Sequence, residues 1–143
     1  MKNYISIKTA KAITEDAHEC ILTTIPGKQI LFEGKKKNGE TIALCTPQSK
    51  FNSNNRYWVD ITEVQLNTLD SYDHAILFIR LEGNYMLLLG WPELRSYLTP
   101  DCMKYNLNEG NHWKLYIHSH YTEIAGSDYR IEKSIVKYVG ENV

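Results

Sequence analysis

The sequence predicts an α+β fold: a mixed β-sheet of five or six strands with two or three packed helices, in the order αβββαβ over the first two thirds. Three observations carry that expectation. Thr62-Glu63-Val64-Gln65 has the spacing of a capping box, in which the threonine hydroxyl and the glutamine side chain satisfy each other's backbone amides and open a helix. Ala75-Ile76-Leu77-Phe78-Ile79 is apolar without alternation, as a strand covered on both faces must be. Asn38-Gly39 and Gly83-Asn84 lie between apolar runs, where hairpin turns need backbone with positive φ.

In chain order, Tyr4–Ile7 reads as a short strand. Thr9–Ile21 reads as a helix, with Ile13, Ala17 and Ile21 on one stripe. After the Pro26-Gly27 turn, residues 28–35 and 40–46 form a hairpin about Asn38-Gly39. Pro47–Asn55 is polar and reads as the longest loop. Arg56–Ile61 has strand content, with Tyr57, Val59 and Ile61 on one side of the pleat. The helix opened by Thr62 runs to about Tyr72. It is followed by strand 75–81, a turn at Glu82-Gly83-Asn84 and the return strand Tyr85–Leu89. Pro92 suits the first turn of a short helix that Thr99-Pro100 closes. Asp101–Gly110 reads as a loop. His112–His118 alternates strictly, with Trp113, Leu115 and Ile117 inward and His112, Lys114, Tyr116 and His118 outward. For Ser127–Val139 the spacing of Ile131, Ile135 and Val139 suggests a closing helix, while the Tyr-Ile-Val content leaves a strand open.

A chain of 143 residues suits one domain spanning 1–143 with a core of its own. Sixteen basic against seventeen acidic residues, for a net charge of −1, exclude a bulk polycation of histone type. The charge is uneven, however: residues 1–56 carry a balance of +4 and residues 57–99 one of −4. Three cysteines without a Cys-x-x-Cys pair suit reduced thiols in a cytoplasmic protein. No stretch resembles a signal peptide or reaches the length of a membrane span, so no membrane partner is expected.

The residues that suggest a partner are Lys35, Lys36 and Lys37 at one hairpin end, Lys50 in the polar loop, and Arg56 beside Tyr57 and Trp58. Positive side chains next to flat rings are how nucleic-acid phosphates and bases are held together. His118 and His120, two apart, are candidates to share a metal. No glycine-rich phosphate loop, dinucleotide fingerprint or nucleophile–base pair occurs, and no cofactor is predicted.

The order helix, three strands, helix, strand resembles the core of the PD-(D/E)XK restriction-endonuclease-like family. Residues 55–117, with Tyr57-Trp58, Gln65 and Asn111-His112-Trp113, also look like small domains found beside bacterial restriction and modification genes. Together the resemblances cover about residues 9–118 and imply DNA handling in bacterial defence. An active member needs two carboxylates for Mg²⁺ and an acid-x-Lys lysine. The candidate residues are Glu19, Glu33, Glu40, Asp60 and Lys35. Glu33-Gly34-Lys35 has the letters but lies on the first strand after the helix, and Asp60-Ile61-Thr62 lacks the lysine. The resemblance therefore implies a nucleic-acid-interacting domain without catalysis. One alternative is a Mg-dependent nuclease with a diverged site. A protein-binding partner of immunity or inhibitor type, with Trp91, Tyr97 and Tyr105 as anchors, is the other.

Overall fold

The computed structural model describes residues 3–51 and 56–140. The fold is α+β, with a mixed sheet as expected and a second sheet of entirely antiparallel strands behind it.

Helix α1 (Ile7–His18) starts where Ser6 Oγ accepts from the Thr9 amide at 3.0 Å. It stops at Glu19, which turns left-handed at φ 52°. The Glu15 carboxylate then accepts from the Leu22 amide at 2.8 Å and draws the chain back along the helix. Ile21 is consequently 79% exposed instead of completing the predicted stripe, and Leu22–Thr24 becomes strand β1. The expected strand at residues 4–7 is not formed either, because Ser6 caps the helix there.

The first sheet runs β1, β2 (Leu31–Lys35), β3 (Thr41–Cys45), β6 (His74–Leu81), β7 (Tyr85–Gly90) and β12 (Val136–Lys137). Its neighbours are antiparallel except for β3 and β6. A parallel pair needs a crossover connection. Here that connection carries β4 (Lys50–Phe51), β5 (Tyr57–Thr62) and helix α2 (Glu63–Asp70). The predicted helix–strands–helix–strand order thus holds, with the short strands β1 and β4 added.

The crossover seeds the second sheet, in the order β11 (Arg130–Ile131), β10 (Thr122–Ile124), β9 (Gly110–Ile117), β5, β4, with β8 (Lys104–Asn106) also paired to β9. The capping box forms as predicted: Gln65 N donates to Thr62 Oγ1 at 3.1 Å and Thr62 N to Gln65 Oε1 at 3.0 Å. Helix α3 (Trp91–Tyr97) follows β7 with Pro92 in its first turn.

Two cores result. On one face of the first sheet Phe32, Ile42, Leu44 and Phe78 pack with Ile5 and Ala10 from the α1 side. On the other, Leu31, Cys45, Leu77 and Ile79 meet Val59, Ile61, Trp113, Leu115 and Ile117 of the second sheet, together with Leu66, Leu69 and Leu94 of α2 and α3. Strand β6 is therefore buried on both faces, which is why it reads as an unbroken apolar run. The second sheet buries its odd-numbered positions on β5 and β9, and no helix of the described residues joins the core from its opposite face.

Arg80 is buried, 7% exposed, and donates from Nε to the Thr46 carbonyl at 3.0 Å and from a guanidinium nitrogen to the Ile5 carbonyl at 3.2 Å. Its backbone exchanges bonds with Pro47 and Ser49, so the first part of the predicted 47–55 loop is tied down. Residues 52–55 of that loop lie outside the described residues. Of the helix and strand readings left open for the closing stretch, the structure takes the strand, as β11 and β12: Ile131 fills the core between the sheets, while Val139 is 85% exposed. No described helix is long and apolar enough to cross a membrane.

Candidate functional site

Alternation along β5 turns Tyr57, Val59 and Ile61 into the core and leaves Trp58, Asp60 and Thr62 on the other face. Cross-strand register then sets the neighbours. Trp58 lies between Lys50 of β4 and Tyr116 of β9, and Asp60 is opposite Lys114. Lys114 Nζ sits 3.7 Å and Lys50 Nζ 5.1 Å from the centroid of the Trp58 ring. The Arg56 guanidinium lies 3.7 Å from the centre of the Tyr116 ring. The face uncovered by helices is thus a row of aromatic rings with cations against them, held by electrostatic attraction to the π faces.

The predicted basic–aromatic cluster is divided by this arrangement. Lys50, Arg56 and Trp58 share the face, whereas Lys35, Lys36 and Lys37 belong to the β2–β3 hairpin of the other sheet. Ile30 borders the same cavity as Lys50. Lys35 is five positions farther along its strand, about 16 Å at the usual rise. Lys37 is paired with Glu19 at 2.9 Å on the exposed surface. Tyr57 also leaves the cluster, packing against the core with its hydroxyl donating to the Glu82 carbonyl at 3.3 Å. Lys114 and Tyr116 replace these residues. Their outward direction was readable from alternation; their adjacency to Trp58 depends on pairing strands that are far apart in sequence.

Beside Trp58 lies a compact ionic group. Lys114 Nζ donates to Asp60 Oδ1 at 2.8 Å, with side chains 21% and 9% exposed. Glu109, from the turn that enters β9, faces Asp60. Hydrogen bonding to Asp60, then burial and the Asp60 charge, raise its carboxyl above the ordinary range, against the opposing pull of His112 and Lys114. His112 was expected outward but is buried, its Nδ1 3.0 Å from the Gly110 carbonyl and 3.6 Å from Glu109 Oε1.

The donor atoms of Asp60, Glu109 and His112 lie within 4.8 Å of one another, a spacing open to a divalent cation. Atoms of two of these residues already have partners, however. The Lys114 ammonium occupies Asp60 Oδ1, and a bond from Nδ1 to the Gly110 carbonyl takes up that ring nitrogen. The group therefore holds its own positive charge and offers the remaining carboxylate oxygens as hydrogen-bond acceptors.

The nuclease candidates do not converge. Glu33 accepts from the Tyr72 hydroxyl, Glu40 contacts His74 at 2.9 Å, and Glu19 holds Lys37. Lys35 is exposed on the first sheet, and Asp60 stands on the second. The acid-x-Lys letters at Glu33–Lys35 consequently form no site with Asp60. His118 and His120 take different partners: His118 Nε2 is 2.5 Å from Glu123 Oε2, and His120 Nδ1 is 3.0 Å from Ser134 Oγ. Of the proposed protein anchors, Trp91 is buried and bonded to Asp70 at 2.6 Å, Tyr97 stacks on Tyr129, and Tyr105 is 66% exposed.

Between the edge of β5 and the segment at Pro47–Lys50 lies a cavity of about 220 Å³. Trp58 and Lys50 form one side; Asp60, Thr62, Gln65 and Glu109 supply polar groups. No family model, curated protein or solved structure matches this chain.

Proposed function

We propose that this chain is a nucleic-acid-interacting domain that binds without catalysing a reaction, using the uncovered face of the second sheet. The observation supporting it is the row Lys50, Trp58, Lys114 and Tyr116 across three adjacent strands, with Arg56 against the Tyr116 ring. Rings presented by a sheet stack bases, and the cations beside them meet phosphates. Lys50 and Arg56 form no ion pair with a carboxylate among the described residues, while Lys114 is held by Asp60. Lys50 and Arg56 are accordingly the principal phosphate contacts. A setting in bacterial restriction or defence belongs to the same proposal and rests on the sequence resemblance.

Gel shift and fluorescence anisotropy with single- and double-stranded DNA and RNA test the reading at low salt, where electrostatic binding is strongest. Two phosphate contacts on a single strand give a slope of about −1.4 for log affinity against log salt. Removing either cation should flatten it by about 0.7. No binding to any of these polymers at low salt would end the proposal.

A further inference from the structure

The cavity beside Trp58 has a donor–acceptor pattern of its own. Gln65 Oε1 is committed to the Thr62 amide, which leaves the Gln65 NH₂ group as a hydrogen-bond donor at the cavity. Asp60 holds the Lys114 ammonium on Oδ1 and meets the Glu109 carboxyl beside it, and the remaining oxygen lone pairs accept at the cavity. Glu109 adds a second carboxyl beside it. The polar lining is therefore rich in acceptors and includes a fixed amide donor. Trp58 supplies a flat wall, with the Lys50 ammonium 5.1 Å above its ring. At about 220 Å³ the cavity is smaller than a site for a drug-sized ligand, which suits one base and not a whole nucleotide.

We propose that this cavity accepts a single guanine base stacked against Trp58, with carboxyl oxygens of Asp60 and Glu109 accepting from its N1–H and N2–H groups and the Gln65 amide donating to O6. The inference rests on the nucleic-acid reading and adds a base preference to it. Guanine matches because its Watson–Crick edge carries two kinds of donor and one acceptor. Adenine offers one donor group beside an acceptor, and cytosine and uracil each offer one donor group with two acceptors. None of those carries two adjacent donor groups beside an acceptor, so each forfeits at least one of the three bonds. A base read at this edge while stacked on a ring must be unpaired, so the ligand is a single strand or a flipped-out nucleotide. A base entering here displaces the Lys50 ammonium from the ring and leaves it free for the phosphate of the same nucleotide.

The test is a titration of the full chain with GMP, AMP, CMP and UMP, read by calorimetry and by the Trp58 indole resonance, alongside a gel shift with oligo(dT). GMP is expected to bind at least about tenfold more tightly than the other three, the scale of a bidentate base contact. Glu109→Gln, on an exposed turn, should bring the four nucleotides to within about threefold of one another. Lys37→Ala, on the other sheet, serves as the control and should leave the ranking as it is. Equal affinity for all four nucleotides, or a guanine preference untouched by Glu109→Gln, overturns the inference. Binding of oligo(dT) with no mononucleotide binding overturns the cavity and leaves the surface reading standing. GMP binding without oligo(dT) binding keeps the guanine site and removes the sequence-independent surface contacts, and binding of neither removes both.

Discussion

Replacing Lys114 with methionine tests the centre of the proposed site, because Lys114 joins its aromatic and acidic halves. Methionine keeps most of the apolar stem against neighbouring side chains and removes the charge. The contact with the Trp58 ring at 3.7 Å is worth about 0.5–1 kcal/mol at exposed sites and more where water is excluded. The bond to Asp60 has side chains 21% and 9% exposed, so its loss falls between a negligible surface pair and the 3–5 kcal/mol of a fully buried one. Asp60 would also be left beside the Glu109 carboxyl without its counter-ion. Together these give a destabilisation of about 2–3 kcal/mol, or a Tm lower by about 6–12 °C for a chain of this size. Urea unfolding of the wild type, Lys114→Met, Asp60→Asn and the double variant measures both the loss and the coupling. The double variant should be more stable than additivity predicts by about 1 kcal/mol or more, since Asp60→Asn removes the stranded charge. A loss below about 0.5 kcal/mol for Lys114→Met, with additive singles, would mean that the pair is solvated and organises nothing.

Further consequences can be checked separately. Arg80→Met strands the Thr46 and Ile5 carbonyls that the guanidinium now satisfies, and should cost about 2–4 kcal/mol in urea unfolding; a change near zero would mean that water replaces the bonds. Glu109 has a folded-state pKa above its ordinary 4.5, so the stability it contributes is fully present below that value and is lost as pH rises through the folded pKa. Thermal melts should accordingly show Glu109→Gln gaining on the wild type as pH rises above 4.5, and parallel melting curves would contradict the contact with Asp60. Complete burial pushes the Cys45 thiol up to about 12, while half-buried Cys20 is raised by burial and then by Glu15. A disulfide-exchange reagent at pH 8 should therefore label Cys20 in the native protein and reach Cys45 only after unfolding, with mass spectrometry identifying the site. Lys50→Ala should weaken oligonucleotide binding and flatten its salt dependence by about 0.7, whereas Lys35→Ala should change neither.

Much of the fold was legible because its signals are local. The Thr62–Gln65 capping box depends on side chains three residues apart, and it opens α2 where the spacing says it should. The unbroken run in β6 and the alternation in β9 report two-sided and one-sided burial directly, and both were read with the correct faces, His112 excepted. His112 departs because Glu109 and the Gly110 carbonyl close over it from the preceding turn. The end of α1 was misplaced because the Ile13–Ile21 stripe continues in sequence while the Glu15 bond to Leu22 reverses the chain.

Residue type and spacing determined which side chains stand outward on β5 and β9, since a pleated strand alternates whatever it pairs with. Only the tertiary structure decided that these two strands are neighbours, with Trp58 beside Tyr116 and Asp60 opposite Lys114. The crossover between β3 and β6 places β5 in a second sheet and leaves the Lys35–Lys37 hairpin in the first. Pairing between residues 50 to 60 positions apart is selected by the shared core beneath them, and a core formed by the whole chain leaves no mark in any one stretch of sequence.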